Sequence, residues 1–243
     1  MVYARREGMN FIQRIFLTAL IFSALLLGWV YLLGLIKPDE PTSPKWAESL
    51  SSLHDLYRIT YRQSRNTLQQ ATIAHTDSLF ATAIAIRAIA ESERINCRIC
   101  QQAIEALGDK VTAPSVPNTE LTPTAPFVEQ KIGQKSTLNR STLPEIIERL
   151  LGDENRYVAR LLTWYNSNNN QQMILLEICR AEQNAPSEQN TTSVQNVPSS
   201  QNKTSRANAY RVCPTCGYIT LEEFTPHCCP HCMTRSEEFV LFK

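Results

Sequence analysis

The sequence predicts a mainly α-helical protein with three parts: an N-terminal transmembrane helix, a four-helix bundle and a small C-terminal β domain that binds metal. Three observations support this prediction. Residues 15–36 form an uncharged apolar run, the middle of the chain is rich in helix-forming residues, and only 7 of the 243 residues are glycine. Five of the eight cysteines fall within residues 213–243, which indicates a local metal site rather than a chain-wide disulfide framework.

The N-terminal segment predicts a membrane anchor. Residues 1–14 form a short basic tail, and a helix over residues 15–36 would reach roughly 33 Å, which is enough to cross the hydrocarbon core of a membrane. A cleaved signal peptide is the alternative. The apolar run is longer than a typical signal core, however, and no small-x-small cleavage motif follows it. We therefore expect an uncleaved, single-pass membrane protein.

The charges that flank this segment favour an orientation with the N-terminus inside the cytoplasm. Arg5, Arg6 and Arg14 precede the span, whereas Lys37 and Lys45 follow it. The rest of the chain would then lie outside the cytoplasm. The cysteine content argues the other way, because metal-binding thiolates are more easily kept reduced in the cytoplasm. We give the charge pattern slightly more weight.

The middle of the chain predicts the bundle. Residues 37–45 are proline-rich and predict a stalk, and residues 46–186 contain four segments with apolar stripes. The first two helices are expected at about 44–74 and 77–107. Residues 109–140 are rich in proline and threonine and aperiodic, so they predict a long connection.

The second half of the bundle is predicted to contain two shorter helices. A capping box over residues 142–145 opens the third helix, which continues to Trp164. The asparagine run 168–170 is expected to break the chain before a short fourth helix that ends at Pro186. Residues 187–208 are rich in Ser, Asn, Thr and Gln and predict a flexible linker. Four striped helices with one long connection are typical of a helical bundle.

The C-terminal segment, residues 209–243, contains two Cys-x-x-Cys pairs separated by twelve residues. The pairs are Cys213 with Cys216 and Cys229 with Cys232. Each pair predicts a tight turn that directs two thiolates toward one ion, and four thiolates in a tetrahedron suit zinc or a single iron. We therefore predict one Fe or Zn ion held by these four cysteines. An arrangement of disulfides without metal is the alternative.

The residues around the two pairs indicate which side chains bind the ion and which partners are not expected. Cys228 is expected to be a spare thiol, because two adjacent cysteines cannot easily ligate one ion. His227 and His231 are alternative ligands, but a complete set of four cysteines favours solvated turn residues instead. Glutamates outnumber basic residues in this segment, which is the opposite of a nucleic-acid-binding ribbon, so no nucleic-acid partner is expected.

Together these motifs resemble the rubrerythrin family, which joins a ferritin-like four-helix di-iron domain to a C-terminal rubredoxin-like iron domain with four cysteine ligands. The resemblance covers most of residues 46–243 outside the loops and none of the apolar N-terminal segment. It is most specific in CPTCGY (213–218) and PHCCPHC (226–232). In the helices it is carried by RAIAESERIN (87–96), EALG (105–108), GDENRY (152–157) and AEQNA (181–185).

The di-iron pattern that the resemblance implies is broken in this sequence. The family binds two irons through carboxylates and two Glu-x-x-His pairs. Glu93, Glu154 and Glu182 keep ligand positions and are expected to point toward the core from the apolar stripes of their helices. The replaced positions are Asn96 and Ala185, which stand for histidines, and Tyr61 and Tyr157, which stand for carboxylates.

Two interpretations of the three glutamates remain. They form a relic metal site that holds one ion, or they pair with neighbouring Arg, Tyr or Asn side chains. The absence of any histidine ligand favours the second interpretation, so a di-iron centre is not expected. Cys97, Cys100 and Cys179 are interpreted as ordinary buried thiols rather than as a second thiolate site.

These inferences predict a membrane-anchored, rubrerythrin-like metal-binding protein. If the four-cysteine site holds iron, the resemblance implies one-electron transfer with a redox partner protein. If it holds zinc, the site is structural and belongs to an interaction or scaffold protein with a zinc ribbon. Peroxide reduction at a di-iron centre is the enzymatic alternative, and the four replaced ligand positions argue against it. The resemblance also implies a homodimer.

Overall fold

The computed structural model describes residues 22–23, 29, 46–115, 122–184 and 209–243. The predicted anchor at 15–36 therefore lies outside the described residues, apart from three positions, and so do the predicted stalk and linker. Within the described ranges, no helix is long and apolar enough to cross a membrane. On this finding the prediction of a single-pass membrane protein is wrong, in either orientation. The long helices within the described ranges carry charged side chains on their exposed faces.

Four helical rods form the body of the described chain. The third rod combines two α-helices and a π-helical turn that follow one another without a non-helical residue between them. The elements in chain order are α1 (Ala47–Thr76), α2 (Phe80–Ala106), α3 (Thr124–Thr137), the π-helical turn (Leu138–Thr142), α4 (Leu143–Gly152) and α5 (Arg156–Asn184).

Apolar side chains from all four rods meet in one continuous core. Leu53 of α1, Ile86 and Ile99 of α2, Leu143 of α4 and Leu162 of α5 are all buried within it. Burial of one such side chain stabilises a fold by about 1.5–3 kcal/mol, so these stripes hold the rods together far more strongly than helix propensity does.

The predicted connection at 109–140 contains an unexpected helix, α3. Its inward face consists of Phe127 and Val128 together with two lysines, Lys131 and Lys135, all of them buried. The spacing of these four residues is that of an amphipathic helix face. The stripe was missed because lysine is expected in solvent and only exceptionally lies in a core.

The predicted break at the asparagine run 168–170 is also absent, since α5 continues through it. Asn168 donates to Asn96 Oδ1 at 2.8 Å, and Asn169 donates to Asn139 Oδ1 at 2.7 Å. Asparagine disfavours a helix mainly because its side chain competes for local backbone groups, and here these side chains bind partners on other helices instead. The boundary between the third and fourth rods lies earlier in the sequence than this run, at the turn between α4 and α5.

The C-terminal segment forms a three-stranded antiparallel sheet. Its strands are β1 (Tyr210–Val212), β2 (Ile219–Leu221) and β3 (Val240–Phe242), in the order β2-β1-β3. Inward-facing residues of β1 and β2, including Val212 and Ile219, belong to the same apolar cluster as the bundle. The prediction of a mainly helical protein with a small C-terminal β domain is confirmed, and this domain packs directly against α2 and α5.

Neighbouring leucines in α4 offer a matched test of the core. Leu150 is 0% exposed, whereas Leu151 is 53% exposed. We expect Leu150→Ala to lower the free energy of unfolding by about 2–5 kcal/mol, because it leaves a cavity among the rods. Leu151→Ala should change it by less than about 0.5 kcal/mol. Urea unfolding followed by circular dichroism measures both, and equal losses would contradict the placement of α4.

Candidate metal centre

The four predicted cysteine ligands converge at one end of the small sheet. The sulfurs of Cys213, Cys216, Cys229 and Cys232 all lie within 4.8 Å of one another, and no disulfide joins any of the eight cysteines. The Sγ–Sγ separations are 3.5 Å for Cys213 and Cys232 and 3.4 Å for Cys216 and Cys229. A tetrahedral ion with metal–sulfur bonds of about 2.3 Å requires separations of about 3.8 Å. The four thiols therefore fit a single tetrahedral metal ion.

Two similar backbone turns position these thiols. In the first turn, the Gly217 N–H donates to the Cys213 carbonyl at 2.9 Å, and in the second the Met233 N–H donates to the Cys229 carbonyl at 3.0 Å. Gly217 and Met233 both have positive φ angles, of 82° and 65°. A glycine adopts this conformation without steric cost, so the first turn was recognisable from the sequence, whereas the methionine in the second was not.

The four ligands differ in exposure. Cys213, Cys216 and Cys229 are fully buried, whereas Cys232 is partly exposed and its sulfur lies 3.0 Å from Thr234 Oγ1. Cys228 lies outside the cluster. Solvent and other molecules can therefore approach the site on its Cys232 side.

Neither predicted alternative ligand joins the cluster, since the four cysteines form the group without His227 or His231. The ring of His231 instead contacts Ser167, with 3.1 Å between Nε2 and Oγ, and packs edge-on against Tyr218. The group that the structure brings together thus has the same four members as the ligand set that the spacing of the cysteines predicts.

The first turn presses closely against the bundle. A Cβ atom on Gly217 would lie 2.9 Å from Asn168 Nδ2 and 3.3 Å from Ile95 Cγ2, so a larger residue does not fit there. Side chains of α2 and α5 donate to four successive carbonyls of this turn. Arg98 donates to the carbonyls of Pro214 and Thr215, Asn168 donates to that of Cys216, and Ser92 donates to that of Gly217.

The three predicted relic ligands do not come together. Glu93 is buried in α2, but Glu154 lies exposed in the turn between α4 and α5, and Glu182 lies exposed in the last turn of α5. In the part of the chain that the structure describes, the four cysteines are the only group of three or more His, Cys, Asp or Glu residues that could hold a metal. The expectation that all three glutamates point toward the core is therefore wrong for Glu154 and Glu182. Glu154 follows the end of α4 at Gly152. Glu182 lies off the buried face of α5, which runs through Leu175, Leu176 and Cys179 rather than through Ile178.

Glu93 is paired with two lysines of α3. Its Oε1 atom lies 2.9 Å from Lys131 Nζ and 2.7 Å from Lys135 Nζ. Lys135 also donates to Asn169 Oδ1 at 3.1 Å and to Gln172 Oε1. The sequence interpretation named Arg, Tyr or Asn as partners for this carboxylate. The lysines were missed because α3 was missed.

Burial and pairing act in opposite directions on these groups. Burial raises the pKa of Glu93, but the two lysine ammonium groups outweigh it and lower that pKa to about 2. Burial lowers the pKa of Lys131 to about 8, with Glu93 opposing the shift and Lys135 adding to it. The bundle interior thus holds a carboxylate that is already paired with two of the chain's own cations.

The adjacent cysteines 228 and 229 provide a test of the ligand set. We expect Cys229→Ala to abolish stoichiometric metal binding, because three thiolates leave the tetrahedron open. Cys228→Ala should retain the metal content of the unmodified protein, since Cys228 is not part of the cluster. Elemental analysis of both purified variants measures this, and equal metal loss would contradict the assignment.

The ion pairs of Glu93 predict a large effect on stability. We expect Glu93→Gln to lower the free energy of unfolding by about 3–5 kcal/mol, because it leaves two buried ammonium groups without a counter-charge. Glu91→Gln, two residues away, removes only the partly exposed pair with Arg94 and should cost less than about 1 kcal/mol. Denaturant titration at neutral pH distinguishes them.

The same pair predicts a pH dependence. The folded pKa of Glu93, about 2, lies below its ordinary value of 4.5, so its contribution to stability is complete above pH 4.5 and is lost as the pH falls toward 2. The stability difference between the unmodified protein and Glu93→Gln should therefore narrow across this range in urea titrations. A constant difference would contradict the ionised pair.

Comparison with known proteins identifies the fold. No protein-family model and no curated protein matches the sequence. Solved structures of nigerythrin, a rubrerythrin, do match. The fully reduced, all-ferrous state has a TM-score of 0.64 at 15% identity over 85% of this chain and 91% of that one, and the mixed-valence state has 0.65 at 16% over 84% and 90%. The chain therefore has a rubrerythrin-like fold with a four-cysteine metal-binding site.

Proposed function

We propose that the four-cysteine site holds one iron and exchanges single electrons with a partner protein. The observation that supports this is the uneven exposure of its ligands. Three cysteines are fully buried, whereas Cys232 reaches the surface. Burial and N–H···S bonds set the potential of a thiolate-bound iron, and one exposed ligand gives an external donor or acceptor a short path to it. Solved structures with this fold include all-ferrous and mixed-valence states of nigerythrin.

We further propose that the bundle holds no di-iron centre. The carboxylate at the centre of the bundle, Glu93, already binds Lys131 and Lys135. A metal cation would have to displace two buried ammonium groups that repel it, and it would find neither Glu154 nor Glu182 within the bundle interior. Asn96, at the position of a lost histidine, accepts a hydrogen bond from Asn168. Peroxide reduction at two irons is therefore the less supported alternative.

A structural zinc site is the second candidate function. The observation that favours it is the set of four turn carbonyls, residues 214–217, that accept hydrogen bonds from α2 and α5. A metal that fixes this turn also fixes the β domain on the bundle. Zinc has no redox chemistry, so the protein would then serve as an interaction or scaffold module.

Metal content and visible absorption of the full chain, purified anaerobically without added zinc, test the proposal. We expect about one iron per chain with thiolate-to-iron charge-transfer bands that bleach on one-electron reduction. One zinc and no colour would overturn electron transfer and leave the structural site. About three irons per chain would overturn the proposal for the bundle and restore the di-iron enzyme.

A further inference from the structure

We propose that a continuous chain of hydrogen bonds joins Lys135 in the bundle to Cys216 of the metal site, and that it raises the reduction potential of the bound iron. Lys135 and its partners Gln172 and Ser92 would thus act as positioning residues for a metal that they do not touch. The inference rests on the proposed one-iron site.

The chain reaches the metal site through a single peptide group. The carbonyl of Gly217 accepts a hydrogen bond from Ser92 Oγ at 2.6 Å, deep in the contact between α2 and the first turn. The N–H of the same peptide group belongs to Tyr218 and is hydrogen-bonded to the sulfur of Cys216. A donor on the carbonyl polarises the peptide, so the Tyr218 N–H becomes a stronger donor to the thiolate.

The other end of the chain is a buried charge. Gln172 donates from Nε2 to Ser92 Oγ at 2.7 Å, and its Oε1 accepts from Lys135 Nζ. Lys135 lies 2.7 Å from the Glu93 carboxylate. Ser92, Gln172 and Lys135 are each at most 1% exposed, so water does not compete for these bonds.

Every bond in this chain has its donor on the lysine side and its acceptor on the cysteine side. The polarisation therefore adds from link to link, and the positive end of the chain faces the Cys216 sulfur. Reduction makes an iron bound by four thiolates more negative by one charge. Because N–H···S bonds stabilise the more negative state, the chain raises the potential and helps to retain the metal.

Ser92→Ala tests the link nearest the metal in the iron-loaded full chain. We expect the reduction potential to fall, the affinity for the metal, measured by competition with a chelator, to drop by about 10–100-fold, and release of the metal to the chelator to become faster. Ser64→Ala is the control, because it also removes a buried serine hydroxyl, but one that bonds only to Tyr61 of its own helix. An unchanged potential in Ser92→Ala would overturn the proposal.

Lys135→Met and Lys131→Met distinguish an effect of the hydrogen-bond chain from an effect of removing one positive charge. Both variants take one ammonium group from Glu93, but only Lys135 bonds Gln172. We expect a clearly larger fall in potential for Lys135→Met, and equal shifts would overturn the proposal. If Lys135→Met does not fold, Gln172→Leu interrupts the chain without removing a charge, and the same fall in potential is expected.

The identity of the bound metal tests the electron-transfer function, and the rate of metal release tests the hydrogen-bond chain separately. A zinc-loaded protein would show no potential and would overturn the electron-transfer function. The rate of zinc release to the chelator then reports on the chain, with faster release from Ser92→Ala than from Ser64→Ala as the supporting result. Equal release rates would overturn the coupling as well.

Discussion

The structure depends on how one buried carboxylate is neutralised. Glu93 lies at the centre of the bundle, where an isolated charge would be strongly disfavoured. The fold meets this constraint with Lys131 and Lys135, and these fix the register of α3 against α2. Asn169 and Gln172 in turn satisfy the remaining donors of Lys135, which ties α5 to the same point. Three of the four rods thus converge on one ionic cluster.

The metal site is built by two parts of the chain that differ in what they supply. The β domain provides the four thiols and the two turns that aim them. The bundle provides the surface that buries the first turn and the side chains that bind its carbonyls. The second turn contacts the bundle through His231, whose ring lies against Ser167 of α5, and its Cys232 remains partly exposed. The site consequently has an inner side defined by the helices and an outer side open to other molecules.

The metal site could be predicted from the sequence, but the bundle interior could not. Cysteine spacing is a local signal, since each Cys-x-x-Cys pair closes its own turn. Burial of Lys131, Lys135, Asn168 and Asn169 is a tertiary property, because each of these residues is stable in the core only through partners on other helices. Propensity rules place such residues in solvent or at a helix break. These rules therefore predicted no helix at α3 and a break within α5. The misplaced end of α4 put Glu154 inside a helix, and Glu182 was assigned to a face of α5 that is not the buried one.

The contact between Ser92 and Gly217 joins residues that are 125 positions apart in the chain. Contacts of such long sequence separation form late, because the intervening chain must first be ordered. The α1–α2 pair, in contrast, is closed by a short turn and is made of neighbouring segments. Folding should therefore begin with the helical hairpin and end when the β domain docks. During synthesis the two cysteine turns emerge after α1 to α5, so we expect these helices to pack together before the four thiols are brought into place.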